Sequence, residues 1–157
     1  MKILGVDPGA SGALAILDTD TNNLEMVDMP VVEVKRGTRL VRQVSAPLLV
    51  EALANKDIDC AVVEKVGAMP GQGVSSMFAF GRAAGVVEGV IAGLRIPLTH
   101  VTPQEWQKGM RVVGGKDGSR SRATQVFPNQ ASLFARKKDD GRADAALMAA
   151  YGTKLNA

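Results

Sequence analysis

Four carboxylates fall where their surroundings leave them few ordinary roles. Asp7 closes the apolar run 3–6 and is followed at once by Pro8 and Gly9, and Glu64 closes the apolar run 60–63. Asp140 and Asp144 stand four residues apart in a segment that is otherwise small and apolar, with Ala143 and then residues 145–150. Two acids at that spacing share one helix face, where like charges repel. The helix dipole favours negative charge in the first turn only, which covers Asp139 and Asp140 but not Asp144, a full turn further in. A cation would relieve the repulsion. Four hard oxygen ligands, with no cysteine or histidine required, suit Mg²⁺ or Mn²⁺ better than zinc. Two such ions about 4 Å apart activate a water and stabilise a leaving oxygen in phosphodiester hydrolysis.

The elements that must bring these acids together follow from the pattern around them. Residues 3–6 and 12–17 read as strands joined through the Pro-Gly break, and residues 24–29 as a third, entered through the turn at 20–23 and closed by Pro30. Short turns make these three an antiparallel meander. Residues 31–44 are basic and weakly patterned, which predicts a mobile loop or a strand extension projecting from the body. Ser45 then caps a helix with Pro47 in its first turn. If that helix is a crossover, the strand at 59–65 lies parallel to the first, and Asp7 and Glu64 end at one edge of the sheet. A long helix follows from Ser75 or Ser76 to about Leu94, rich in Gly and Ala; so many small residues predict close approach by another element, within the fold or across a dimer axis. Residues 96–101 are a fifth strand, and Thr102, Pro103 and Glu105 form a capping box. The segment 109–119 is expected to be a mobile loop, a short helix spans 120–127, and the last helix runs from Asp139 or Asp140 to Tyr151, stopped by Gly152. The expected class is α/β, a five-stranded mixed sheet with its first three strands antiparallel, flanked by helices, in one domain over 1–157.

Composition bounds the rest. A chain of 157 residues, 46% hydrophobic and 22% charged, fits one soluble globular domain. No unbroken run of about eighteen apolar residues and no signal-peptide core is seen, so a cytosolic location, bacterial or in a phage-infected host, is expected. Cys60 alone excludes an internal disulfide and a cysteine-based zinc cluster, and His100, the one histidine, has no partners for a Ser/His/Asp triad. The formal charge of +3 and pI near 9.2 point to nucleic acid. Basic residues cluster at Lys35, Arg36, Arg39 and Arg42, and again from Lys108 to Lys138. Four acids inside a basic protein draw a polyanion to the site while metal ions offset the local negative charge.

The segments ILGVDPGASGALAILD, AVVEKV, GRAAGVVEGVIAGL, VTPQEWQK and DDGRADAALMAAYG, in this order over nearly the whole chain, resemble the RuvC family of Holliday junction resolvases, particularly its phage-type members. The resemblance implies a ribonuclease H-like fold. It also implies a homodimer that cuts four-way or other branched DNA by symmetric nicking with Mg²⁺ or Mn²⁺, two ions per site, and no organic cofactor. Asp7, Glu64 and Asp144 fall on the family's acids, and Asp140 takes the place of the fourth. Asp7 would bind both metals, Glu64 and Asp144 one each, and Asp140 would complete the shell near the attacking water. The family commonly places the fourth acid three residues before the last, where this chain has Gly141. It also carries a junction-wedging aromatic three residues after the glutamate, where this chain has Gly67; Met69 or Gln72 would substitute, or selectivity would extend to other branches.

DNA contact is expected first from Lys65 and Arg82, then from Lys108, Lys116, Arg120, Arg122, Lys137 and Lys138, with Lys116 the counterpart, by order, of a family lysine that approaches the scissile phosphate. The competing readings are a nuclease of the same fold acting on RNA and a junction-binding protein without catalysis.

Overall fold

The computed structural model describes residues 1–157, the side chain of Lys116 excepted. Strands β1 (Lys2–Asp7), β2 (Ala13–Asp18) and β3 (Asn23–Asp28) form an antiparallel meander, with Asp7 opposite Ala13 and Ala13 opposite Asp28. Two further strands, β4 (Val31–Arg36) and β5 (Arg39–Val44), pair only with each other. Helix α1 (Ala46–Leu53) then crosses to β6 (Cys60–Glu64), which lies parallel to β1 with Val63 beside Val6. Helix α2 (Val74–Gly93) makes the second crossover, to β7 (Leu98–Val101), parallel to β6. The sheet order β3-β2-β1-β6-β7 is the mixed five-stranded sheet predicted from the sequence.

Strands β1 and β6 read as unbroken apolar runs because both their faces are covered. On one face Ile3, Ala13, Ala15, Leu17 and Val62 pack against α5 (Asp140–Leu155), together with Trp106 and Phe134. On the other, Leu4, Val6, Leu14, Ile16, Ala61 and Val63 meet Leu49 and Leu53 of α1 and Ala83, Val87 and Ile91 of α2. The alternation of strand side chains thus splits one sheet between two cores. Gly5 decides how closely α5 lies on β1, because a Cβ there would overlap the Ala145 carbonyl.

Several expected boundaries move. Of the two expectations for the segment 31–44, the loop is not found; the segment forms strands outside the main sheet, as a separate two-stranded hairpin. Arg36 and Arg39 face each other across the two-residue turn Gly37-Thr38, with Gly37 at φ +62°. Glycine at the first position of a two-residue loop supplies the positive φ that hairpin twist demands. Helix α3 (Pro103–Met110) has the expected capping box, and α4 (Gly118–Val126) starts earlier than predicted. Gly152 does not stop α5, which continues to Leu155; the glycine sits against Ile3 and Val62, where a Cβ would lie 2.7 and 3.0 Å from their side chains.

Helix α2 is long and apolar enough to cross a membrane by length and composition. Scanning for an unbroken apolar run misses it because Arg82 and Glu88 interrupt the sequence. One side packs in the core through Ala83, Ala84, Val87 and Ile91, while Gly81, Gly85, Gly89 and Gly93 form a ridge at four-residue spacing with nothing within 4 Å of where their Cβ atoms would be. The close approach expected of this helix is therefore not made within the chain.

Candidate active site

The parallel pairing of β1 and β6 brings Asp7 and Glu64 to one sheet edge, and α5 crosses β1 so that Asp144 joins them. Burial pushes the Asp7 carboxyl up to about 6, helped by the charge of Glu64, while the Gly9 N–H, 3.4 Å from Oδ1, pulls it back. Asp144 is pushed up to about 7, again first by burial; a hydrogen bond from Ser119 is the next largest effect and pulls it down, while the charges of Asp7, Glu64 and Asp140 add repulsion. Its Oδ1 is buried without a hydrogen-bond partner. Such an atom is costly in a fold unless something outside the chain completes it.

The donor chemistry fits a hard divalent cation: carboxylate oxygens only, mutually repelling, one of them buried and unpartnered. Among the described residues, however, no group of three or more His, Cys, Asp or Glu side chains is drawn together tightly enough to hold an ion by itself. The four-carboxylate cage expected from the sequence is therefore not closed by protein alone.

The neighbourhood of the fourth acid explains why it departs in spacing. A Cβ at Gly141 would lie 2.7 Å from the Ser11 carbonyl oxygen, 3.0 Å from the Gly12 Cα and 3.1 Å from Asp7 Oδ2, so α5 touches the Asp7 loop there and leaves no room for a side chain. Asp139 is buried and turned away; its carboxylate accepts from the Arg136 backbone N–H and guanidinium at 2.8–3.2 Å. Asp140 is the acid that acts on Asp144, yet it is itself exposed and accepts from Arg120 Nε at 3.1 Å.

One partner of the site is absent from the sequence-based set. Trp106, on α3, is fully buried, and its Nε1–H donates to Glu64 Oε1 at 2.9 Å. The signal was available: a lone tryptophan on the apolar side of a short amphipathic helix needs a partner for its indole N–H when buried.

The expected DNA-binding residues separate into two sets. Lys65, Lys108, Lys137 and Lys138 are exposed, and Arg82 is half-buried on α2 with Nη1 3.5 Å from the Val44 carbonyl. Arg120 is engaged within the fold, pairing with Asp117 and Asp140 and donating to the carbonyls of Phe134 and Ala135. Arg122 donates to the Met110 carbonyl at 2.6 Å and to Gln125. Both arginines tie α4 to its surroundings. The side chain of Lys116 lies outside the described residues. His100, on β7 beside Val63 of β6, has its Nε2 2.9 Å from Glu88 of α2.

A meander continued by two parallel strands, with acids at the ends of β1 and β6 and inside the helix packed across β1, defines a ribonuclease H-like protein. The chain belongs to the family described as crossover junction endodeoxyribonuclease RuvC, which it matches over residues 3–150. It is 31% identical over 91 residues to the chloroplastic Holliday junction resolvase MOC1 of Chlamydomonas reinhardtii, a match covering 57% of this chain and spanning 10% of that protein's length. The structure of T. thermophilus RuvC in complex with Holliday junction substrate superimposes with a TM-score of 0.66 at 15% identity, covering 99% of this chain and 96% of that one. Thermus thermophilus RuvC alone gives 0.60 at 15% identity, covering 99% and 97%. The fowlpox virus Holliday junction resolvase gives 0.50 at 16%, covering 99% of each. At these identities the structural likenesses show the fold.

Proposed function

We propose that the protein is a metal-dependent, structure-selective endonuclease that nicks four-way or other branched DNA, in a bacterial or phage-infected cytosol. The observation that carries the reading is the unpartnered Asp144 Oδ1 beside Asp7 and Glu64, in a chain of this family. Asp7, Glu64 and Asp144 would hold two Mg²⁺ or Mn²⁺ ions, with Asp7 shared, and Asp140 would join once it leaves Arg120. Bound there, the ions would supply Lewis-acid charge to the phosphodiester and to the attacking water. The chain's own groups set the stage: the Gly9 N–H holds Asp7 Oδ1, the Trp106 N–H holds Glu64 Oε1, and Lys65, Arg82, Lys108, Lys137 and Lys138 receive the DNA backbone. In and beside the loop that lacks the family's aromatic, Met69 and Phe78 are exposed; the Phe78 ring offers a face on which an unpaired base stacks, and Met69 an apolar contact.

The test is cleavage of a labelled four-way junction with Mg²⁺ or Mn²⁺, with linear duplex and RNA of the same sequence in parallel. Cutting confined to branched DNA and lost in Asp7→Asn supports the reading; cutting that survives Asp7→Asn unchanged removes these acids from the chemistry. Symmetric nicks require two sites, and the exposed glycine ridge of α2, flanked by an apolar cavity of about 530 Å³ lined by Val50, Val86, Val90 and Leu94, supports a homodimer. Light scattering is expected to give a dimer for the native chain and a monomer for Gly85→Leu/Gly89→Leu; a monomeric native chain refutes the assembly.

A further inference from the structure

The β4–β5 hairpin stands outside the main sheet and supports neither core except at its root, where Val44 is buried and Ser45 N–H donates to the Pro30 carbonyl at 3.0 Å. It holds Lys35, Arg36, Arg39 and Arg42 against Glu33 alone, a net charge of +3, equal to the formal excess of the whole chain. The register sets Glu33 opposite Arg42 but leaves the charge at the tip unbalanced. Arg36 and Arg39 are direct cross-strand partners, and like charges in that relation destabilise a hairpin. Lys35, Arg36 and Arg39 are exposed.

The hairpin also stands between two cavities that share the Asp7 loop as their floor. One, of about 460 Å³, runs between the hairpin and α2 and is lined by Arg36, Arg42 and Arg82, with Gly9 and Phe80 at its base. The other, of about 330 Å³, lies between the hairpin and the approach to α5 and is of mixed charge, lined by Arg42, Arg136 and Lys138 but also by Asp28 and by Asp139, which pairs with Arg136. Arg42 borders both, and its Nη2 donates to Ser11 Oγ at 2.7 Å, fixing the hairpin to the loop that follows the catalytic acid. The α2-side groove, whose charged lining residues are all arginines, leads to the Asp7 loop and suits a polyanion that must reach that site.

Resting on the nuclease reading, we propose that the β4–β5 hairpin is a phosphate-binding arm that grips the DNA backbone, with Arg36, Arg42 and Arg82 guiding a strand along the α2-side groove toward Asp7. Each phosphate contact releases counterions, so the arm's share is read as a slope of binding against salt, about 0.9 per contact.

The experiment titrates a fluorescent four-way junction without divalent metal from 50 to 200 mM salt, using the native chain, Arg36→Gln/Arg39→Gln, and Arg95→Gln at the opposite end of α2. The arm predicts that the hairpin variant binds with a log–log slope shallower by about 1 to 2 and an affinity at least about tenfold lower at the low-salt end, while Arg95→Gln matches the native slope. A hairpin variant that melts like the native chain and keeps its slope and affinity overturns the arm. So does an equal change in Arg95→Gln, which would make the effect one of overall charge. Failure of the nuclease reading looks different: the native chain then neither binds nor cuts branched DNA. If the native chain cuts the junction and the hairpin variant binds it unchanged, only the arm is refuted.

Discussion

Replacing Asp144 by asparagine removes a charge from a place the metal-free fold disfavours, and the protein is expected to become more stable for it. The Asp144 carboxyl rises from 3.8 to about 7, chiefly through burial and then through Asp7, Glu64 and Asp140. Because the folded value lies above the unfolded one, the native state keeps a proton that the unfolded chain releases between about pH 4 and 7. Stability is therefore full below that window, falls across it, and stays reduced above it. Three units at 1.36 kcal/mol each set an upper bound of about 4 kcal/mol. Asp144 is partly open to solvent and shares its repulsion with Asp7, which halves the expected gain to about 2 kcal/mol. For a chain of this length that is about 4–8 °C in Tm. Calorimetry in EDTA at pH 4 and pH 8 is the assay: Asp144→Asn should melt higher than the native chain at pH 8 and close to it at pH 4. Adding Mg²⁺ or Mn²⁺ at pH 8 should raise the native Tm and leave the variant's nearly unchanged. A variant no more stable than the native chain at pH 8, or equally stabilised at both pH values, refutes the reasoning.

Trp106→Phe keeps the ring in the core but removes the N–H that holds Glu64 Oε1. Loss of a partner of this kind weakens metal affinity or activity by about 10–100-fold, read as a matching rise in the Mn²⁺ concentration needed for half-maximal cutting, with the fold retained by circular dichroism. Gly141→Asp would restore the family's usual acid spacing, yet its Cβ would meet the Ser11 carbonyl at 2.7 Å. It is expected to lower stability by about 1–3 kcal/mol and not to raise the cleavage rate; a faster, equally stable variant shows that the loop yields to an acid there.

The acids of the sheet edge were legible because they interrupt their surroundings: Asp7 and Glu64 each end a run that burial on both faces makes continuously apolar, so the strand ends are the carboxylates themselves. Asp144 was legible for the same reason in helical form, a charge among residues that otherwise face β1. The hairpin was not, although Gly37 marked its turn. Val32 and Leu40 are exposed while Val34 and Val41 are only half-buried, so no face is clean enough to produce an apolar-polar alternation. The end of α5 was misplaced because a glycine reads as a stop, whereas Gly152 is required by the proximity of Ile3 and Val62. The partnership of Trp106 and Glu64 spans 42 residues and depends on α3 packing against α5, which no local pattern encodes.

The same closeness that builds the site also strains it. With no Cβ at Gly5 or Gly141, α5 settles onto β1 and against the Asp7 loop, and Asp144 is carried into a position where its Oδ1 is buried with no donor from the chain. Asp140, one turn earlier, escapes burial and is balanced by Arg120, which also holds Asp117 and two carbonyls of the segment before α5. The two acids of α5 are thus in opposite conditions, Asp144 largely buried with one oxygen unpartnered, Asp140 exposed and paired. A cation entering the site gains the full relief of the first and must compete with a guanidinium for the second. On the proposed metal-dependent reading, Asp7, Glu64 and Asp144 would therefore be the first acids to engage a cation, and Asp140 would be recruited only after releasing Arg120.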